Sequence, residues 1–154
     1  MISRNCVLSI ALLIIPLVAG CAVGPNTSYV GKLRQPTDSE AVATAMAEFV
    51  SMSLPGAPGV LLLNPTPSDQ AKNALTPAFA SALRRCGFTI GGGSQHLGGN
   101  THRIRYLVTP LDSGVLARVT IDGTTEGSQF LARNAGGILQ PGGPFTVTRA
   151  EAMR

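Results

Sequence analysis

Between Arg103 and Arg133 apolar and polar residues alternate through three consecutive runs, Arg103 to Thr109, Gly114 to Ile121 and Glu126 to Arg133. A period of two sends successive side chains to opposite faces of a sheet, so this stretch predicts three strands. The connections Pro110-Leu111-Asp112-Ser113 and Asp122-Gly123-Thr124-Thr125 have hairpin length and chemistry, which makes the three an antiparallel meander. Treating both turns as symmetric sets Tyr106 opposite Ala117, and Ala117 opposite Phe130. One face then carries Ile104, Tyr106, Val108, Val115, Ala117, Val119, Ile121, Phe130 and Ala132, and helices should pack on it.

The same register gives the opposite face Leu107, Leu116 and Leu131 beside Arg105, which faces Arg118 across the strands, with Arg103 and Arg133 nearby. Like charges directly across strands repel, so these arginines either splay into water or meet an acidic partner. Arg105, Leu107, Leu116, Arg118, Leu131 and Arg133 therefore form a candidate partner-docking face. The competing reading is a solvated arginine face whose leucines are covered by the Gly/Pro-rich tail, residues 136–154.

Upstream, Thr37-Asp38-Ser39-Glu40 has capping-box spacing between Thr37 and Glu40. Val42, Ala45, Met46, Phe49 and Val50 follow at helical period, and Leu54-Pro55-Gly56 closes that helix. Gly59 to Leu63 is a continuously apolar run that predicts a buried strand, stopped by Asn64-Pro65. A second helix is expected from Thr66-Pro67, with Ala71, Ala74, Leu75, Ala78, Phe79, Ala82, Leu83 and Cys86 on one side and Gly87 as its stop. Pro77 either kinks that helix or opens a fresh one capped by Thr76. Phe88-Thr89-Ile90 starts another strand, and Gly91 to Asn100 is a glycine-rich connector with neither a P-loop lysine nor a dinucleotide motif. The expected fold is α+β, a two-layer sandwich of two helices on a mainly antiparallel sheet of about five strands, spanning residues 37–135.

The N-terminus sets the address. Arg4 supplies a short basic region, Val7 to Leu17 an apolar one, and Leu17-Val18-Ala19-Gly20-Cys21 reads as a lipobox. The apolar run falls short of the about 20 residues that span a bilayer. Residues 1–20 are then a lipoprotein signal peptide, and Cys21 becomes the acylated first residue of the mature chain. Two or more acyl chains hold a protein on a membrane far longer than one does. An ordinary secretory signal with an incidental Cys21, or an uncleaved anchor, is the alternative. Ala22 stands where an aspartate commonly marks inner-membrane retention, which favours the outer membrane, periplasmic face. Residues 21–36 read as the lipidated cysteine followed by a flexible tether.

With Cys6 removed and Cys21 acylated, Cys86 is the one remaining thiol, so the mature chain has no internal disulfide and relies on its core. Net charge is +4, one less after Arg4 leaves, and no basic run argues for direct nucleic-acid binding. His96 and His102 flank the glycine-rich loop without acidic or cysteine neighbours in sequence, which speaks against a metal site. No Gly-x-Ser-x-Gly elbow is present, and Asp38, Glu40, Glu48 and Asp69 are accounted for by helix starts and exposed faces. Cys86, on the helix's apolar side, reads as a buried inert thiol. No catalytic residues, cofactor or small-molecule substrate are expected.

The order of these elements resembles the TrbH-type conjugal transfer lipoproteins, encoded with the mating-pair formation genes of plasmids. The resemblance runs from the lipobox through the helix ending near Leu54-Pro55, a strand and Pro65-Thr66-Pro67. It continues with Ala82-Leu83-Arg84-Arg85-Cys86-Gly87-Phe88, Arg105-Tyr106, Leu131-Ala132-Arg133 and Leu139-Gln140-Pro141-Gly142-Gly143-Pro144-Phe145. In the family a tryptophan often follows that terminal stretch; Phe145 stands there in this chain, which has no Trp. Membership implies a non-enzymatic, outer-membrane-attached part of a type IV secretion apparatus whose partners are other mating-pair formation proteins, with Cys21 as its lipidated residue. The alternative is an envelope lipoprotein of another assembly, or a periplasmic chaperone for hydrophobic cargo.

Overall fold

The computed structural model describes residues 26–55, 59–67, 72–92 and 100–150. Cys21, His96 and Asp69 lie outside them. The described residues fold as α+β: two helices lie on one face of a mixed eight-stranded sheet. The order is β1 Tyr29–Val30, α1 Pro36–Ser53, β2 Val60–Leu63, α2 Leu75–Arg85, β3 Thr89–Gly91, β4 Thr101–Leu111, β5 Gly114–Ile121, β6 Thr125–Arg133, β7 Leu139–Pro141 and β8 Thr146–Arg149.

The sheet exceeds the expected five strands because segments read as tether and tail pair at its edges. β1 runs parallel to β4, Tyr29 beside Leu107 and Val30 beside Val108. β2 is parallel to the first half of the same strand and ends where Pro65 cannot donate to a ladder. β1 takes over the lane: Ser28 N–H donates to the Pro65 carbonyl at 2.9 Å, and the Ser28 hydroxyl accepts from Tyr106 N–H at 3.2 Å. Residues 28–31 are therefore part of the domain, with Ser28, Val30 and Gly31 buried. The C-terminal segment does the same on β6, where β7 covers Leu131 to Arg133 and β8 covers Thr125 to Ser128. Gly142-Gly143-Pro144 breaks that lane, which is why its composition reads as a tail.

α1 starts at Pro36, whose missing N–H is harmless in a first turn. The box therefore forms two residues earlier than Thr37 and Glu40, with Asp38 accepting from Gln35 N–H at 3.0 Å. α2 begins at Leu75 rather than at Thr66-Pro67, and Pro77 sits in its first turn, so no interior kink arises. Asn73 Oδ1 accepts from Thr76 N–H at 2.8 Å and caps that turn. Gly87, at φ +92°, ends α2 in a Schellman arrangement, with Phe88 N–H on Leu83 O and Gly87 N–H on Arg84 O. Cys86 lies past the apolar stripe as the C-cap, and it is exposed, not buried.

One apolar cluster joins Val42, Met46, Phe49 and Val50 of α1, Leu75, Phe79 and Leu83 of α2, and the inward row Ile104, Tyr106, Val108, Val115, Ala117, Val119 and Ile121. Phe79 meets Tyr106 edge to face at 5.4 Å, and Phe49 stacks on Phe145 at 4.8 Å.

The hairpins correct the expected register. β4 and β5 join by a two-residue turn, Leu111 beside Gly114, so Tyr106 faces Val119 and Ala117 faces Val108. A shift of two keeps every β4 and β5 side chain on its expected face. β5 and β6 join by three residues, Ile121 beside Thr125, with Asp122 at φ +52° and Gly123 at +73°. That one-residue difference turns β6 over. Gly127, Gln129 and Leu131 point to the helices, while Phe130 and Ala132 point away.

Candidate docking surface

The sheet face opposite the helices is built from four aligned rows. Tyr29, Leu107, Arg118, Ser128 and Thr146 form one, and Thr109, Leu116 and Phe130 form a second. Arg105, Thr120, Glu126 and Thr148 form a third, and Leu62 stands beside Arg103 in the fourth. Tyr29, Leu62, Leu107, Leu116 and Phe130 are each half-buried, and neither helix contributes to this side. Leu107, Leu116 and Phe130 lie toward the β4–β5 turn, whereas Arg103 and Arg105 lie toward the β5–β6 turn with Leu62 beside Arg103.

Of the six residues expected on one face, Arg105, Leu107, Leu116 and Arg118 share it. Leu131 and Arg133 do not, because β6 is turned over: Leu131 is 1% exposed in the core and Arg133 reaches Asp38 of α1. Phe130 takes the place on the outer face that Leu131 was expected to fill. Its neighbours include Gly142, whose N–H donates to the Phe130 carbonyl at 2.9 Å. Segment 142–146 thus borders the patch beside Phe130 and Leu116. Tyr29 was hidden from sequence reasoning by its place in a presumed tether.

The expected repulsion between Arg105 and Arg118 does not arise, since Arg105 lies beside Thr120. Arg118 Nε instead meets Glu126 Oε1 at 3.3 Å, and Thr120 Oγ1 donates to the other oxygen of Glu126 at 3.5 Å. Arg105 is different: its Nε is buried and has no hydrogen-bond partner among the described residues. At the arginine end, Asp122 accepts from Arg103 N–H at 2.8 Å and meets His102 Nδ1 at 2.6 Å. His102 thus has an acidic neighbour that sequence distance concealed, brought to it by the β5–β6 turn.

Among the described residues no group of three or more His, Cys, Asp or Glu side chains is placed to hold a metal, and no helix is long and apolar enough to cross a membrane. No curated protein and no solved structure matches the chain. A family model described as conjugal transfer protein TrbH matches residues 24–151, which takes in both helices and all eight strands of the described residues. The resemblance read from the order of sequence motifs is thereby borne out: the chain belongs to the TrbH family of conjugal transfer proteins.

Proposed function

We propose that this conjugal transfer component is a lipid-anchored structural or assembly protein of the outer membrane's periplasmic face. It is held there by an acylated Cys21 and binds other mating-pair formation proteins through its open sheet face. The observation that carries the reading is the half-buried patch of Tyr29, Leu107, Leu116 and Phe130, with Arg105 and Arg118 beside it on the same sheet face. A sheet buries one face against its own helices; a half-buried apolar patch flanked by arginines on the other face fits a partner that brings apolar side chains and carboxylates. Such a role needs no catalytic group. Anchoring supports it physically, because confinement to a surface raises the effective concentration of co-anchored partners and lets modest contacts suffice.

The test is twofold. Cys21→Ser should abolish labelled-palmitate incorporation, leave an unprocessed precursor and lower transfer frequency. In a donor cell, a photo-crosslinker at Leu116 should capture another transfer protein, and one at the fully buried Phe79 should not. Palmitate persisting in the Cys21 variant contradicts the anchor; identical crosslinks from both positions contradict the docking face.

A further inference from the structure

The chain has only two lysines, and both line one cleft. The cleft has a volume of about 730 Å³ between the β1–α1 connection and the start of α2; Lys32 and Arg34 stand on one wall and Lys72 and Asn73 on the other. Among the described residues no carboxylate lines it. Lys32 and Lys72 are exposed and neither has an ion pair among the described residues, while Arg34 has a loose one, 3.6 Å from the fully exposed Asp112. Asp38, shortly after Arg34 in the chain, is engaged by Arg133 and so does not neutralise the site. Three cations around a concavity whose described lining holds no carboxylate make a site for a compact anion with several acceptor oxygens.

Position identifies the source of that anion. Tyr29 and Val30, the residues of β1, line the same cleft, and Asn26 lies just three residues before them. From Cys21 to Asn26 the chain spans at most about 18 Å even fully extended. The cleft therefore stays within reach of the headgroup layer of whatever bilayer holds the acyl chains. Juxtamembrane Lys and Arg residues attract anionic lipid strongly only within about a Debye length of the surface, and a link this short lets the cleft settle within that range.

We propose that the cleft of Lys32, Arg34 and Lys72 binds the phosphodiester headgroup of an anionic glycerophospholipid, fixing the orientation of the domain on its membrane. The inference rests on the anchored reading for its geometry, but its test does not need the acyl group. The unacylated mature chain, residues 21–154 with Cys21→Ser, contains every described residue and is mixed with vesicles of phosphatidylcholine alone or of equal phosphatidylcholine and phosphatidylglycerol.

The expected result is flotation with the phosphatidylglycerol vesicles only, together with protection of Lys32 and Lys72 from an amine-acylating reagent, read residue by residue in the mass spectrometer. Lys32→Gln with Lys72→Gln should weaken flotation by at least about tenfold. Arg84→Gln with Arg85→Gln removes the same charge from the far end of α2 and should leave flotation unchanged. Equal loss in both pairs would overturn the site in favour of bulk charge attraction. Lysine protection by inorganic phosphate without any flotation would overturn the lipid assignment. A chain that is palmitoylated in cells yet indifferent to vesicle charge refutes the cleft alone; one that floats but never takes up palmitate refutes the anchor alone.

Discussion

Arg133, at the end of β6, grips Asp38 in the first turn of α1 with both terminal nitrogens, Nη1 to Oδ1 at 3.1 Å and Nη2 to Oδ2 at 2.8 Å. Asp38 is 1% exposed, and Arg133 Nη1 also donates to the Gly137 carbonyl, so one guanidinium ties the helix, the sheet and the turn before β7.

That pair sets an acid limit on stability. Burial alone would push the Asp38 carboxyl up, but hydrogen bonds from Arg133 and from the backbone of Gln35, with the Arg133 charge, outweigh it and hold the group below the usual carboxylate range. A depressed folded value means the unfolded chain takes up its proton first as pH falls. The contribution is thus complete above about pH 4 and disappears as pH drops through the lower folded value. Asp38→Asn should lower Tm by roughly 5 °C at neutral pH, with the two melting curves converging under acid conditions. Curves that stay parallel down to low pH would exclude this role.

Gly127 tests the turned-over β6. A Cβ there would fall 2.3 Å from the ring of Phe49, which is itself buried and stacked on Phe145. Gly127→Ala should destabilise by about 2 kcal/mol in urea denaturation, because ring and helix must move together. By contrast, Ser128→Ala, on the opposite face of the same strand, should be nearly neutral; equal costs would contradict the register.

Tyr106 is fully buried and its hydroxyl lies 2.8 Å from Thr76 Oγ1. Burial raises its ionisation above the ordinary phenol range, and the Thr76 contact only partly counters this. A raised folded value contributes stability that is whole below about pH 10 and is lost as pH climbs through the folded value. Tyr106→Phe should cost about 1 kcal/mol at neutral pH and flatten the alkaline fall in melting temperature.

Leu116→Glu probes the open face. Half-buried on the helix-free side, it should change chain stability by about 1 kcal/mol or less while abolishing the crosslinks to transfer proteins made from a photo-crosslinker at the neighbouring Phe130. Unfolding of the isolated chain would instead identify the patch as part of a covered core.

Helix and strand patterning was legible wherever side chains repeat against one face. α1, β2 and the meander strands appear close to their expected bounds, and the inward row of β4 and β5 holds because a two-residue register error preserves parity. β6 was not legible, since its facing depends on whether the loop at Asp122-Gly123 holds three residues or four, and the positive φ angles that decide it leave no periodic trace. The error carried straight into the candidate surface, moving Leu131 and Arg133 inside and Phe130 outside. β1, β7 and β8 were missed for another reason. Strands of two to four residues completing a lane on an existing edge draw their order from the template strand, not from their own composition. The lysine cleft was equally invisible, because Lys32 and Lys72 are forty residues apart and belong to segments without a pattern.

The handover from β2 to β1 has a practical corollary for anyone trimming the gene. A soluble fragment starting at Thr37, the natural choice from hydrophobic patterning, would delete the Ser28 hydroxyl that satisfies Tyr106 N–H and uncover the β4 margin along Leu107 and Val108. Bare strand margins recruit other chains, so such a fragment would aggregate for want of a short N-terminal plug. Expression should begin no later than Asn26.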